Sequence, residues 1–310
     1  MDNSFFLSDV SERDKPWDIH RSECEVVESL YRGTDYQRYA DRMRQCSQFL
    51  GFNWSAASSA GDLQLKLQDA RFCRVRHCPV CQWRRALMWR ARFYAAVPKL
   101  LETYPNYRYV FLTLTIRNCA IDSLSGTIAL LNDGWKKLTK RKQFPAVGWL
   151  KAIEVTRNDS SDEAHPHLHV LLVVPGSYFN GRQYISQQSW RELWQSCLNI
   201  DYLPVVNVKA VKPKANQTTI EALRSALTET LKYTVKPGDL AANQQWLLEL
   251  TTQLRNRRMI AVGGLLREFI REDEPEDLIH PEGTEELSKA ESEIWFSWRQ
   301  DSKRYRSYEK

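Results

Sequence analysis

Residues 164–175 read AHPHLHVLLVVP, and this stretch decides how the chain folds. Three of the six histidines fall within five positions, followed by an apolar run too short for anything but one buried strand. Side chains at i and i+2 of a strand share a face, so His165, His167 and His169 point one way and Pro166 and Leu168 the other. The preceding WLKAIEVTRN (residues 149–158) also reads as a strand, and the polar DSSDEA (159–164) between the two makes them a hairpin. Further out, YRYVFLTLTIRN (107–118) and VVNVKAVK (205–212) alternate as strands. Amphipathic helices are predicted at about 122–141, 186–198 and 218–235. Hairpin adjacency favours an α+β fold, a central antiparallel sheet with flanking helices, over a doubly wound parallel sheet.

A strand with histidines on one face is a metal-site candidate, because two neutral imidazoles one strand pitch apart can hold one divalent ion. Histidine alone favours zinc, copper or nickel; catalytic magnesium or manganese requires an oxygen ligand. Glu154, on the adjacent hairpin strand, supplies one, and an inward carboxylate there is otherwise costly to bury. Further along, ALTETLKYTVKP (226–237) places Glu229 and Tyr233 at i and i+4 of the predicted helix, with Lys236 about one turn on. Pro237 disfavours helix at Lys236, which is therefore expected at a frayed end. A tyrosine flanked by a carboxylate and by Lys232 and Lys236 can act as a nucleophile on phosphate.

A second cluster precedes the sheet. Cys73, Cys78 and Cys81 form C-x4-C-x2-C, and Cys46 offers a fourth thiolate, the composition of a closed structural zinc site. His77 is an alternative fourth ligand, although its place next to Cys78 is awkward for sharing one ion. Cys24, Cys119 and Cys197 read as isolated thiols. Arg74, Arg76, Arg84 and Arg85 crowd the cluster among Trp83 and Trp89, the mixture of charge and aromatic faces that holds nucleic acid by phosphate pairing and base stacking. Cys46 is expected near the end of a helix over about 34–50, a long helix is expected from Pro79 to Pro105, and the first 30 residues read as loosely ordered.

The formal net charge of the 310 residues is +6, yet residues 272–287 hold eight acids and no Lys or Arg. Setting those eight aside leaves +14 on the remainder, which suits a polyanionic partner. The acidic stretch reads as a solvated linker, with a regulatory tail that mimics phosphates as the alternative, and the aromatic, basic C-terminus as a contact helix or a packed terminus. No phosphate-binding glycine loop occurs, so no nucleotide cofactor is expected. Neither a signal peptide nor a membrane span is indicated, and a cytoplasmic protein is expected. Three regions are anticipated: 1–104 with zinc and DNA contacts, 105–240 as the catalytic domain, and 241–310 as a C-terminal helical region with the acidic linker.

FLTLTIRN (111–118), HPHLHVLLVV (165–174) and TETLKYTVKP (228–237), in that order, resemble the three motifs of the replication initiators of rolling-circle plasmids, within the HUH endonuclease superfamily. RFCRVRHCPVCQWRRA (71–86) resembles the cysteine-rich block before the first motif, and LRNRRMIAVGGLLREF (254–269) the block after the tyrosine. The resemblance implies an enzyme, a site-specific single-strand DNA nickase and strand transferase. It implies His167, His169 and Glu154 as ligands of a catalytic Mn2+ or Mg2+ and Tyr233 as nucleophile. Glu229 then matches the group that activates water at termination, while the role of His165 stays open. The implied partners are single-stranded and origin DNA, with a host helicase and polymerase. A transposase or relaxase of the same superfamily, and a non-catalytic zinc-containing DNA-binding regulator, are the alternative readings.

Overall fold

The structure, a computed structural model, describes residues 4–56, 63–181, 183–231, 234–270, 276–279 and 293–308. The helices are α1 (Leu7–Val10), α2 (Lys15–Tyr31), α3 (Gln37–Arg44), α4 (Pro79–Thr103), α5 (Leu124–Leu138), α6 (Gln187–Leu198), α7 (Thr219–Thr230), α8 (Pro237–Ala242) and α9 (Gln244–Gln253). The strands are β1 (Phe49–Ala56), β2 (Leu63–Ala70), β3 (Tyr107–Thr115), β4 (Gly148–Arg157), β5 (Ala164–Pro175), β6 (Val206–Val211), β7 (Ile260–Gly264), β8 (Ile294–Arg299) and β9 (Arg304–Tyr308). They divide between two units. Unit 1 comprises Met1–Met88, Leu240–Leu248 and Glu276–Lys310, and unit 2 Trp89–Asp239 and Glu249–Pro275.

Unit 2 is built on a five-stranded antiparallel sheet of order β6-β3-β5-β4-β7, with the histidine strand at its centre. This is the α+β architecture expected from the hairpin pattern. The central strand β5 is apolar on both faces because both are covered. On one face, α5 packs through Trp135 against Trp149, and Lys151 of β4 reaches Asn132 of α5. On the other face, Leu150, Leu171, Val173 and Tyr109 share a core with Phe93, Val97 and Leu100 of α4 and Leu223 and Leu227 of α7. His167 and His169 continue that second face, since they lie at i−4 and i−2 from Leu171. Helices thus pack on the apolar end of the face, and the polar end carries the buried histidines.

Unit 1 has a four-stranded antiparallel sheet of order β2-β1-β8-β9. The expected loose N-terminus is instead ordered into α1 and α2, whose Trp17, Cys24, Val27 and Tyr31 are buried. Its apolar stripe escapes notice because Arg21 and Glu28 sit within it. Arg21 donates to the carbonyl of Arg44 (3.0 Å) and to Gln48, and Glu28 pairs with Arg32, so both charges are buried with partners. The helix expected over about 34–50 covers only α3, because Ser47 takes a left-handed φ of 49° and the chain turns there into β1.

The division also differs from three consecutive regions. Chain from the last third completes both sheets: β7 pairs with β4, and β8 pairs with β1. An edge strand leaves its peptide groups to be satisfied, and late segments of the chain supply the partners. The C-terminal region is accordingly less helical than expected, its aromatic and basic tail forming the β8–β9 hairpin. Most of the acidic stretch lies outside the described residues. Among the described residues, no helix is long and apolar enough to cross a membrane.

Candidate metal centres and active site

Glu154 and His167 are direct cross-strand partners in the β4–β5 ladder, and His169 follows His167 on the same face. This register brings three ligand atoms together. Glu154 Oε2 lies 2.8 Å from His169 Nε2 and 3.3 Å from His167 Nε2, and the two Nε2 atoms are 3.1 Å apart. All three residues are buried. Burial raises the Glu154 carboxyl pKa, but the hydrogen bonds and charge of His167 and His169 outweigh it and hold the group well below the usual carboxylate range. A carboxylate that stays ionised beside two imidazoles is a donor set for one small divalent cation.

The surrounding groups orient these donors. His167 Nδ1–H donates to the carbonyl of His165 (3.2 Å), and His169 Nδ1 faces Thr113 Oγ1 (3.4 Å), which directs each Nε2 lone pair toward the shared centre. Phe111 stacks on the His169 ring at 5.6 Å between centroids. Asn118 Oδ1 accepts from His165 Nδ1 at 2.6 Å, while Cys119 and Ala164 exchange backbone hydrogen bonds, so the loop after β3 grips the entry to β5. Sequence reading missed Thr113, Phe111 and Asn118 as site residues. All three lie in the FLTLTIRN stretch, where strand alternation placed Phe111 and Thr113 on one face but not beneath a particular histidine.

The predicted helix over 218–235 ends at Thr230, four to five residues early, since Thr234, Val235 and Pro237 all weigh against helix. Glu229 therefore sits in the last turn of α7, and Lys236 is exposed between α7 and α8. Lys232 and Tyr233 lie outside the described residues. Just beyond them the carbonyl of Thr234 accepts from Val155 N–H at 2.8 Å, which ties the chain to β4 at the residue after Glu154.

In unit 1, Cys46, Cys73, Cys78 and Cys81 converge from the α3–β1 turn, the segment after β2 and the start of α4. Cys81 Sγ is 3.6 Å from both Cys46 Sγ and Cys73 Sγ, and Cys78 Sγ is 3.7 Å from Cys46 Sγ. A tetrahedron of thiolates around zinc at about 2.3 Å has edges of about 3.8 Å, so this spacing fits such an ion. The N–H groups of Cys73, Arg74 and Val75 point at three of the sulfurs (3.3–3.4 Å), with Arg74 in a left-handed conformation that turns its amide inward. Within the cluster, hydrogen bonds from Cys46, Cys73 and Cys78 hold the Cys81 thiol well below its ordinary range. Cys24, expected to be isolated, sits on α2 with its sulfur 3.6 Å from Cys78 Sγ. His77 is wholly buried, neither ring nitrogen has a hydrogen-bond partner, and burial with the Arg76 and Arg85 charges pushes it down to about 3.

The arginines around this cluster differ in accessibility. Arg74 is exposed, and Arg76 and Arg85 are partly buried. Arg84 corrects the expectation of a surface phosphate contact. It is buried, stacks over Trp17, and donates to the carbonyls of Leu278 (2.7 Å) and Ile279 (2.8 Å), so its hydrogen-bonding capacity is spent inside unit 1.

The family described as "Replication protein" matches residues 64–306 of this chain. A curated relative named "Protein rep" from Bacillus amyloliquefaciens is 32% identical over 309 residues, covering 91% of this chain and 88% of its own length. Another, from Lactiplantibacillus plantarum, is 32% identical over 92% of each chain. A third, from Streptococcus pneumoniae, is 35% identical over 213 residues, and there the match spans 67% of this chain and 65% of the relative's length. No solved structure matches. The chain belongs to this family of replication proteins, the Rep initiators of plasmid replication that its motifs resemble.

Proposed function

We propose that this replication protein is a site-specific nickase of origin DNA that works by tyrosine transesterification in the rolling-circle manner. The observation that carries the reading is the convergence of Glu154 Oε2, His167 Nε2 and His169 Nε2 within 3.3 Å of one another on one sheet face. Neighbouring ligands of an octahedral ion at about 2.1 Å lie about 3.0 Å apart, and three of them leave three further positions, which supports Mg2+ or Mn2+ rather than a closed zinc site. When bound, the ion would supply charge stabilisation to the oxygens of the scissile phosphate.

The rest belongs to the chain's own residues. The Tyr233 hydroxyl gives up its proton and its oxygen attacks phosphorus; the new bond joins that oxygen to the 5′ side of the break, the bond to the 3′ oxygen breaks, and that oxygen leaves as a 3′-hydroxyl by taking up one proton, so the step is proton-neutral overall. The Thr234–Val155 hydrogen bond supports a nucleophile adjacent to Glu154. Lys236 lends positive charge to the phosphoryl oxygens. With a single tyrosine spent, Glu229 takes the proton of an attacking water, or of a second strand's hydroxyl, to end the cycle. Arg74, Arg76, Arg85 and Lys232 hold the DNA backbone. The 3′-hydroxyl primes a host polymerase behind a host helicase, in the cytoplasm. Structural zinc on Cys46, Cys73, Cys78 and Cys81 keeps unit 1 in shape.

The test uses the purified full-length chain with Mn2+ and single strands from its own replicon, followed by nuclease digestion and mass spectrometry. A nucleotide adduct on Tyr233, lost in Tyr233→Phe with DNA affinity retained, is the expected result. Sequence-specific binding with no adduct in either protein would replace the nickase by a non-catalytic regulator.

A further inference from the structure

Four residues of the acidic stretch, Glu276–Ile279, are described, and they dock onto the arginine-rich knuckle of unit 1. The Glu276 carboxylate pairs with Arg85 Nε, lies 3.4 Å from Arg85 Nη2 and 3.9 Å from Arg74 Nη1. Arg74 Nη2 also donates to the Glu276 carbonyl at 3.3 Å. Beyond it Leu278 is buried, and Arg84 holds the carbonyls of Leu278 and Ile279 as described above. Two kinds of contact are therefore combined. Leu278 and Arg84 form an anchor inside the unit, whereas Glu276 lies in a half-open position, with Glu276, Arg85 and Arg74 side chains 27%, 25% and 57% exposed.

That difference separates anchoring from occupancy. The Glu276–Arg85 pair is partly buried, yet the buried Leu278 and the Arg84 contacts hold the segment independently of it. What Glu276 does supply is an anion spanning two guanidinium groups, the arrangement in which arginine recognises a phosphodiester. We propose that Glu276 occupies a DNA-phosphate subsite on the Arg74–Arg85 face, and that the backbone of single-stranded DNA must displace it there. This rests on the reading of the knuckle arginines as DNA contacts. The competitor is part of the same chain, so it taxes every strand by the same factor. A strand held only by scattered phosphate contacts then falls below the affinity needed for occupancy at a given DNA concentration, while an origin strand with additional contacts stays above it, the ratio of their affinities being unchanged.

Binding of a short, mixed-sequence, fluorescently labelled single-stranded oligodeoxynucleotide to the full chain tests this by anisotropy at several salt concentrations, alongside zinc content and thermal melting. Glu276→Gln is expected to tighten binding about three- to tenfold, the equivalent of freeing one charge-assisted site, with zinc content unchanged. Arg85→Ala is expected to weaken binding and to lower the salt slope by about one. If Arg85→Ala and Arg74→Ala leave affinity and slope unchanged, the knuckle does not contact DNA and the underlying reading fails. If they weaken binding while Glu276→Gln leaves it unchanged or weaker, the knuckle reading stands and the competition is overturned, Glu276 being a structural clamp whose loss shows as a lower melting temperature.

Discussion

The two candidate metal centres of this molecule use opposite designs. In unit 1 four sulfurs form a closed shell at 3.6–3.7 Å, fed by three backbone N–H groups, with every ligand buried. In unit 2 the donors are only three, two imidazoles and one carboxylate brought together by the β4–β5 register, and they too are buried. A closed shell would contribute its binding energy to folding, because its ligands come from separate segments that a bound ion ties together. An open shell sits on strands that backbone pairing already holds, so its ion is free to serve chemistry. If both sites are filled, the difference teaches which part of each is replaceable: the protein around the cysteines would depend on the ion, and the ion at the histidines on the protein.

The largest effect that sharpens this contrast is expected from Cys78→Ser. Loss of one thiolate from the closed shell should cost several kcal/mol of unit 1 stability, on the order of half the binding energy of a structural zinc, and release the metal. Melting and zinc content by mass spectrometry check it; retention of both would break the contrast. Next, His169→Ala should reduce cleavage of origin single strands by about a thousandfold or more while moving the melting temperature by little, since the β4–β5 ladder remains. Treatment with EDTA should reproduce that loss reversibly under conditions that leave the cysteine-bound zinc in place.

A second contrast lies within β4 itself, where Glu154 is a buried charge beside two histidines and Lys151, on the opposite face, has no carboxylate hydrogen-bonded to it among the described residues. Lys151 Nζ reaches Asn132 Oδ1 at 2.5 Å, and burial, with the charges of Lys136 and Arg258, pushes it down from 10.5 to about 8. Between those values the unfolded chain holds more protons than the folded one. Stability should therefore rise with pH from about 8 to 10.5, and the cost is fully present below about 8. Lys151→Met should stabilise unit 2 by about 2–3 kcal/mol near neutral pH and flatten that rise, as read by denaturant unfolding across the window. The smallest expected effect is that of Asn118→Ala, about tenfold in cleavage rate, through loss of the hydrogen bond that orients His165 beside the His167 ring.

The histidine strand was legible because the relevant spacing is short. Period-two alternation fixes which residues share a face, and a hairpin with a six-residue polar turn brings Glu154 within one register choice of His167. The cysteine knuckle was legible for the same reason, apart from Cys24, whose approach to Cys78 depends on how α2 packs. Helix α2 itself was hidden by Arg21 and Glu28, charges that composition assigns to solvent and that particular partners allow to be buried. Arg84 illustrates the converse: its neighbours Arg74 and Arg85 have the same chemistry, and only the docking of Leu278 and Ile279 turns one of the three inward.

By itself the sequence determined the ligand types, their faces and the order of the motifs, because these follow from covalent spacing and from periodicities of two and 3.6 residues. The tertiary structure alone decided the pairing of β7 with β4 and β8 with β1 and the seat of Glu276 on Arg74 and Arg85. Those contacts join residues up to two hundred or more positions apart, where no local period carries information. They form because unpaired strand edges and uncovered charges must find partners somewhere in the fold.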